Sequence, residues 1–134
     1  MLKRLNHVAI VVPDIKEASK VYKTNFNANI SEPKSYPEHG VTVVFIELEN
    51  TKIELMEPYG EDSPIKKFLE KNPHGGMHHI CMEVEDINKS LDSLNNNKVK
   101  ILGTGKPVKG SHNKPILFLH PKEFCGTLIE LEEE

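Results

Sequence analysis

The strongest constraint on the fold is an internal repeat. Leu5-Asn6-His7-Val8-Ala9-Ile10 aligns with Met77-His78-His79-Ile80-Cys81-Met82 at an offset of 72, and the match runs on to Asp14-Ile15 against Asp86-Ile87. Val44-Phe45-Ile46 then matches Leu117-Phe118-Leu119 at an offset of 73, and Thr51-Lys52-Ile53-Glu54-Leu55 matches Thr127-Leu128-Ile129-Glu130-Leu131 at 76. The offset grows because the second copy carries a longer connection, His120 to Gly126. Self-similarity at this period means two copies of one supersecondary unit. A chain of 134 residues has room for two such half-sized modules sharing one core. The expected layout is a single domain, 1–134, with module one at about 1–60, a bridge helix at 61–76 and module two at 77–134.

Each copy reads as strand, helix, strands, an α+β class. Residues 5–12 form an apolar strand that Pro13 ends. Asp14 is the expected N-cap of a helix, with Glu17 completing a capping box. Ile15, Ala18, Tyr22 and Phe26 recur at helical spacing as its apolar face. After Asp86, Ile87, Leu91 and Leu94 do the same. Residues 41–48 and 51–57 form a hairpin through Glu49-Asn50, with 115–120 and 127–132 as counterparts. The segments around 31–40 and 103–113 hold Pro, Gly, Ser and Lys and read as loops. A short further strand near Ile30, or at 99–102, makes each unit βαβββ. In the bridge, Ser63 is expected to cap a helix with Pro64 at its first position, and Pro73-His74-Gly75-Gly76 to end it.

The repeat places His7 opposite His79 and Glu54 opposite Glu130. Two imidazoles and two carboxylates suit a borderline divalent ion such as Co, Zn, Ni, Fe or Mn. The carboxylates balance its charge, and an octahedral ion keeps two positions open for substrate oxygens. Taken singly, each glutamate reads differently. Glu54 lies between Ile53 and Leu55, Glu130 between Ile129 and Leu131, and alternation puts both on the solvent face of a strand. Recurrence of all four in both copies favours ligation, provided the sheet curls to turn that face inward. His78 falls on the opposite face from His79 and reads as structural. His39, His112 and His120 sit in or beside loops, where each either rims a pocket or is solvated.

Composition narrows the field further. A net charge of −3 offers no basic stripe, so no nucleic-acid partner is expected. Val8 to Val12 is the longest apolar run, far below the roughly 20 residues of a membrane helix, so no membrane is expected either. Cys81 and Cys125 form neither a CxxC pair nor a disulfide framework, and Met1-Leu2-Lys3-Arg4 leads straight into the first strand, so no leader is expected. The expected location is cytoplasmic, or the mitochondrial matrix for a processed eukaryotic chain. Gly103-Thr104-Gly105-Lys106 lacks the full phosphate-loop pattern, and the glycosylation-like triplets at Asn29 and Asn88 are chance.

A His-bearing βαβββ unit repeated once, with Glu in each last strand, resembles the vicinal oxygen chelate superfamily. Within it, five segments are similar to the methylmalonyl-CoA epimerase family: Leu5–Ile10, Pro37-Glu38-His39-Gly40-Val41, Asp62-Ser63-Pro64-Ile65, Gly76-Met77-His78-His79-Ile80 and Phe118-Leu119-His120-Pro121-Lys122. The similarity spans about residues 3 to 131. It implies a curled, open-barrel mixed sheet around a metal site, usually in a homodimer. It implies a divalent-metal enzyme, typically holding cobalt, that interconverts (2R)- and (2S)-methylmalonyl-CoA through a metal-stabilised enolate. His7, His79 and Glu130 match the family's metal ligands, and Glu54 matches a fourth position that is Gln in some relatives. Glu130 is the expected proton carrier. Some relatives have a second glutamate where this chain has Val43, so Glu47, His120 or a water remain candidates for the second acid/base. Lys34, Lys66, Lys67, Lys109 and Lys114 are candidates to meet the CoA phosphates. The rival readings are a glyoxalase-like lyase, a ring-cleaving dioxygenase, a non-catalytic small-molecule-binding module, and a structural dimer whose glutamates face water.

Overall fold

The computed structural model describes residues 2–134. Its elements are β1 (Leu2–Val11), α1 (Ile15–Phe26), β2 (Asn29–Ile30), β3 (Lys34–Tyr36), β4 (Val41–Glu47), β5 (Lys52–Pro58), α2 (Lys66–Lys71), β6 (Gly76–Val84), α3 (Ile87–Asn96), β7 (Val108–Lys109), β8 (Pro115–Leu119) and β9 (Ile129–Glu133). Contacts divide the chain into two compact units. One holds the residues up to His7 together with His79–Glu134; the other is Val8–His78. The division falls inside β1, so the equivalent residues His7 and His79 share a unit.

In the Val8–His78 unit, strands run in the order β2-β4-β5-β1, with β3 also on β4. The β4–β5 hairpin pairs antiparallel from Val41↔Pro58 to Glu47↔Lys52. Alternation gives it two apolar faces. Val44, Ile46 and Leu55 pack with Val12, Ile15, Ala18 and Tyr22, which places α1 on one side. Val41, Val43 and Met56 pack with Ala9, Val11 and Ile65, with Phe68 and Leu69 of α2 against them. Asp14 caps α1 as expected, its carboxylate accepting from the backbone N–H of Lys16 (3.0 Å) and Glu17 (3.1 Å). The helix face is shorter than its spacing suggests. Phe26, in the last turn, is exposed against Tyr22, and Ala28 and Ile30 beyond the helix complete the core instead.

Two further expectations in this unit need correction. The loop at 31–40 contains β3, which pairs Lys34–Tyr36 with Val43–Val41. Ser63 does not cap α2 with its side chain; its hydroxyl donates to the Gly40 carbonyl at 2.5 Å, and Ile65 stands at the helix start. Gly75 is the tightest backbone position. Its φ is +89°, and a Cβ there would lie 2.5 Å from the Val11 carbonyl oxygen. Gly75→Ala is expected to destabilise the protein by roughly 2 kcal/mol or more. Gly60→Ala, at φ +79° with nothing within 4 Å, bears only the backbone cost of about 1 kcal/mol. Paired urea melts separate the two, and equal losses would remove the steric account.

In the other unit the order is β1-β6-β9-β8-β7. β6 and β9 are parallel, from Ile80↔Ile129 to Val84↔Glu133, and β8 pairs antiparallel with β9. One sheet face carries Val84, Leu117, Leu119, Ile129 and Leu131, covered by Ile87, Leu91 and Leu94 of α3. The 99–102 strand is reduced to one bridge, Ile101↔Leu119. Among the described residues, neither ladder returns to its own first strand, so neither closes into a barrel. The repeat extends to a helix-start clamp that neither copy advertises. Glu57 accepts from the Ile15 N–H at 2.8 Å, and Glu133 from the Ile87 N–H at 3.0 Å. Each carboxylate meets a helix N-terminus, where the dipole favours it. Among the described residues, no helix is long and apolar enough to cross a membrane.

Candidate metal centre

The second face of the β6-β9-β8 ladder holds the chemistry. Leu131 and Ile129 point to α3, so alternation sends Glu130 and Glu132 to the other side, where both are buried rather than solvated. His79 and Cys81 reach that same side from β6, and Cys81 lies in register with Glu130. β1 brings His7 beside them. His79 Nε2 lies 2.8 Å from Glu130 Oε2, His7 Nε2 lies 3.4 Å from the same oxygen, and the two Nε2 atoms are 3.4 Å apart. All three residues are at most 4% exposed.

This spacing fits an ion. Donors at about 2.1 Å from one centre stand about 3.0 Å apart at right angles and about 3.4 Å apart at the tetrahedral angle. The donor set, two imidazoles and a carboxylate, suits borderline first-row metals. Cys81 was missed in the sequence; its sulfur lies within 4.8 Å of ligand atoms of His7 and Glu130. The available signal was its position two residues after His79 on the same strand face. Glu54, the fourth expected ligand, belongs to the other unit. It is 3% exposed on β5 opposite Phe45, on the face of that hairpin away from α1.

Burial pushes the Glu130 carboxyl up, but hydrogen bonds from His7 and His79, aided by their charges, outweigh it and bring the pKa from 4.5 down to about 2. A lowered folded-state pKa stabilises the fold above the unfolded value and loses that contribution as pH falls through the folded one. With a chelator present, the protein is therefore expected to lose about 3 kcal/mol of stability between pH 4.5 and about 2. Urea unfolding at several acid pH values measures this, and Glu130→Gln should flatten that arm of the curve.

Around the centre, His7 Nδ1 lies 2.7 Å from Asn6 Oδ1, and the His79 ring meets the edge of Phe118 with centroids 5.3 Å apart. His112, read as rimming or solvated, instead hydrogen-bonds the buried Glu132 at 2.9 Å. Glu47 is exposed at the end of β4, opposite Lys52. His120 Nδ1 accepts from the Lys122 N–H at 3.0 Å, capping the turn at Pro121–Glu123. His78 packs edge-on against Phe68, a structural role. Of the lysines, Lys34, Lys66, Lys67 and Lys109 are exposed and Lys114 is half-buried.

Residues 6–118 match the glyoxalase/bleomycin resistance protein/dioxygenase superfamily. The ethylmalonyl-CoA/methylmalonyl-CoA epimerase of Cereibacter sphaeroides is 56% identical over 133 residues, covering 99% of each chain. The mitochondrial methylmalonyl-CoA epimerase of Homo sapiens is 52% identical over 132 residues, 98% of this chain and 74% of its own. A solved methylmalonyl-CoA epimerase in complex with methylmalonyl-CoA and NH4+ superposes with a TM-score of 0.90 at 28% identity, covering all of this chain and 96% of the other. A duplicated strand-helix-strand unit, His and Glu donors gathered on its inner strand face, and these full-length similarities together place the chain in the methylmalonyl-CoA epimerase family of the glyoxalase/bleomycin resistance protein/dioxygenase superfamily.

Proposed function

We propose that this protein interconverts (2R)- and (2S)-methylmalonyl-CoA at a divalent-metal centre held by His7, His79 and Glu130. The observation that carries the reading is the mutual spacing of 2.8 to 3.4 Å among the buried His7, His79 and Glu130 donors. Cobalt is the proposed ion, with zinc, nickel, manganese and iron fitting the same donors. When bound, it supplies positive charge where negative charge develops on the substrate's thioester and carboxylate oxygens.

The residues divide the remaining work. Glu130, buried beside His7 and His79, presents a carboxylate oxygen to take the proton from C2 of the substrate. Burial shields the resulting carbanion from unwanted reactions. Inversion requires a proton delivered to the opposite face of C2, and a solvent-derived proton fills that role. The exposed lysines at 34, 66, 67 and 109 offer positive charge to the CoA phosphates. The two repeat copies act as one domain, proposed to pair as a homodimer working in the cytoplasm, or in the mitochondrial matrix for a processed eukaryotic chain.

Incubating the metal-loaded protein with methylmalonyl-CoA in D2O tests the reaction. Deuterium is expected at C2, seen as a gain of one mass unit and loss of the C2 proton signal. A substrate that keeps its proton would overturn the epimerase reading.

A further inference from the structure

Glu132 is a buried carboxylate that the proposed reaction does not use. It is 1% exposed, on the same strand face as Glu130. A carboxylate so enclosed needs hydrogen-bond donors, or it destabilises the fold by several kcal/mol. It has two. His112 Nδ1 lies 2.9 Å from Oε2 and 3.2 Å from Oε1, and Asn6 Nδ2 lies 3.4 Å from Oε1.

That second contact sets the direction of the Asn6 amide. Its NH2 faces Glu132, which leaves Oδ1 facing His7 Nδ1 at 2.7 Å. An amide oxygen has no hydrogen to give, so His7 Nδ1 carries the hydrogen in that bond. The nitrogen turned toward Glu130 and His79 is then Nε2, at 3.4 Å from each. We infer that Asn6, anchored by Glu132, is a positioning residue that commits His7 to bind the ion through Nε2. This rests on the proposed metal centre. A partner of this kind on the far ring nitrogen orients a ligating histidine and strengthens its bond to the metal.

The repeat supports a dedicated role. Asn6 aligns with His78 and Glu132 with Met56, so the first copy's last strand has no counterpart of this carboxylate. The buried Asn6–Glu132 pair serves one histidine of the two. His79 is steadied differently, by the edge of the Phe118 ring.

The test measures Zn2+ affinity by chelator competition in the full chain, together with 15N–1H spectra of the histidine rings in the Zn2+-loaded protein. The wild type is expected to show His7 with hydrogen on Nδ1 and zinc on Nε2. Asn6→Ala is expected to weaken Zn2+ binding 10- to 100-fold, and Glu132→Gln to weaken it less. Zinc on His7 Nδ1 in the wild type would overturn the inference. So would an Asn6→Ala protein with wild-type affinity. If Asn6→Ala does not fold, the wild-type spectrum and Glu132→Gln still decide. His7→Ala separates the two levels. Undiminished Zn2+ binding in that variant would sink the metal centre itself, whereas its loss alongside an unaffected Asn6→Ala would sink only the positioning role.

Discussion

Glu130→Gln is expected to slow deuterium incorporation at C2 of methylmalonyl-CoA by roughly 10³-fold or more. The substitution keeps the size and hydrogen-bonding reach of the side chain and removes its charge. Two consequences follow from the geometry. His7 and His79 lose the negative charge that both Nε2 atoms face within 3.4 Å. The site also loses the carboxylate oxygen proposed to take the proton from carbon, and an amide oxygen is far too weak a base to replace it. Metal content, read by mass spectrometry, should fall from about one ion per chain, and His79→Ala should do the same. A Glu130→Gln protein that retains both ion and exchange rate would remove Glu130 from the centre and from the chemistry.

Stripping the ion is expected to be the largest effect on stability. A ligand bound only by the folded state stabilises it by about 3 to 4 kcal/mol when present at 100 to 1,000 times its dissociation constant. For a chain of this size that corresponds to a fall in melting temperature of roughly 10 °C on adding excess chelator. Readdition of Co2+ should restore both the melting temperature and the exchange activity. His79→Ala provides the control: its melting temperature should no longer respond to chelator. A wild-type melting curve that chelator leaves in place would mean that these residues hold no ion under the conditions used.

The repeat made much of the fold legible. Matching segments located both opening strands, the Asp14 and Asp86 helix starts and the β4–β5 and β8–β9 hairpins, because each rests on local signals of capping and alternation. The short strand near Ile30 was expected and is β2, but two other short elements escaped. β3 and β7 lie among Pro, Gly and Lys, and only the neighbouring strand's hydrogen bonds make them strands. Ser63 looked like a cap because a Ser-Pro pair has that signature, but the Gly40 carbonyl competes for its hydroxyl.

The candidate centre was legible through duplication and through the family resemblance, not through local pattern. Alternation alone assigns Glu130 to water, and nothing in Ile129-Glu130-Leu131 reveals that the far side of the strand is buried. Asn6, Cys81, His112 and Glu132 carried no motif. Their part depends on side chains meeting across separations as long as the 126 positions between Asn6 and Glu132.

The boundary within β1 has a consequence for dissecting the molecule. A polypeptide cut from the second copy alone, beginning after His78, would carry Glu130 and His79 but would lack β1, the strand that carries His7. That edge would then be open to any extended peptide able to add a strand. A synthetic peptide spanning the first dozen residues is the natural complement, and it would donate the missing ligand along with its backbone hydrogen bonds.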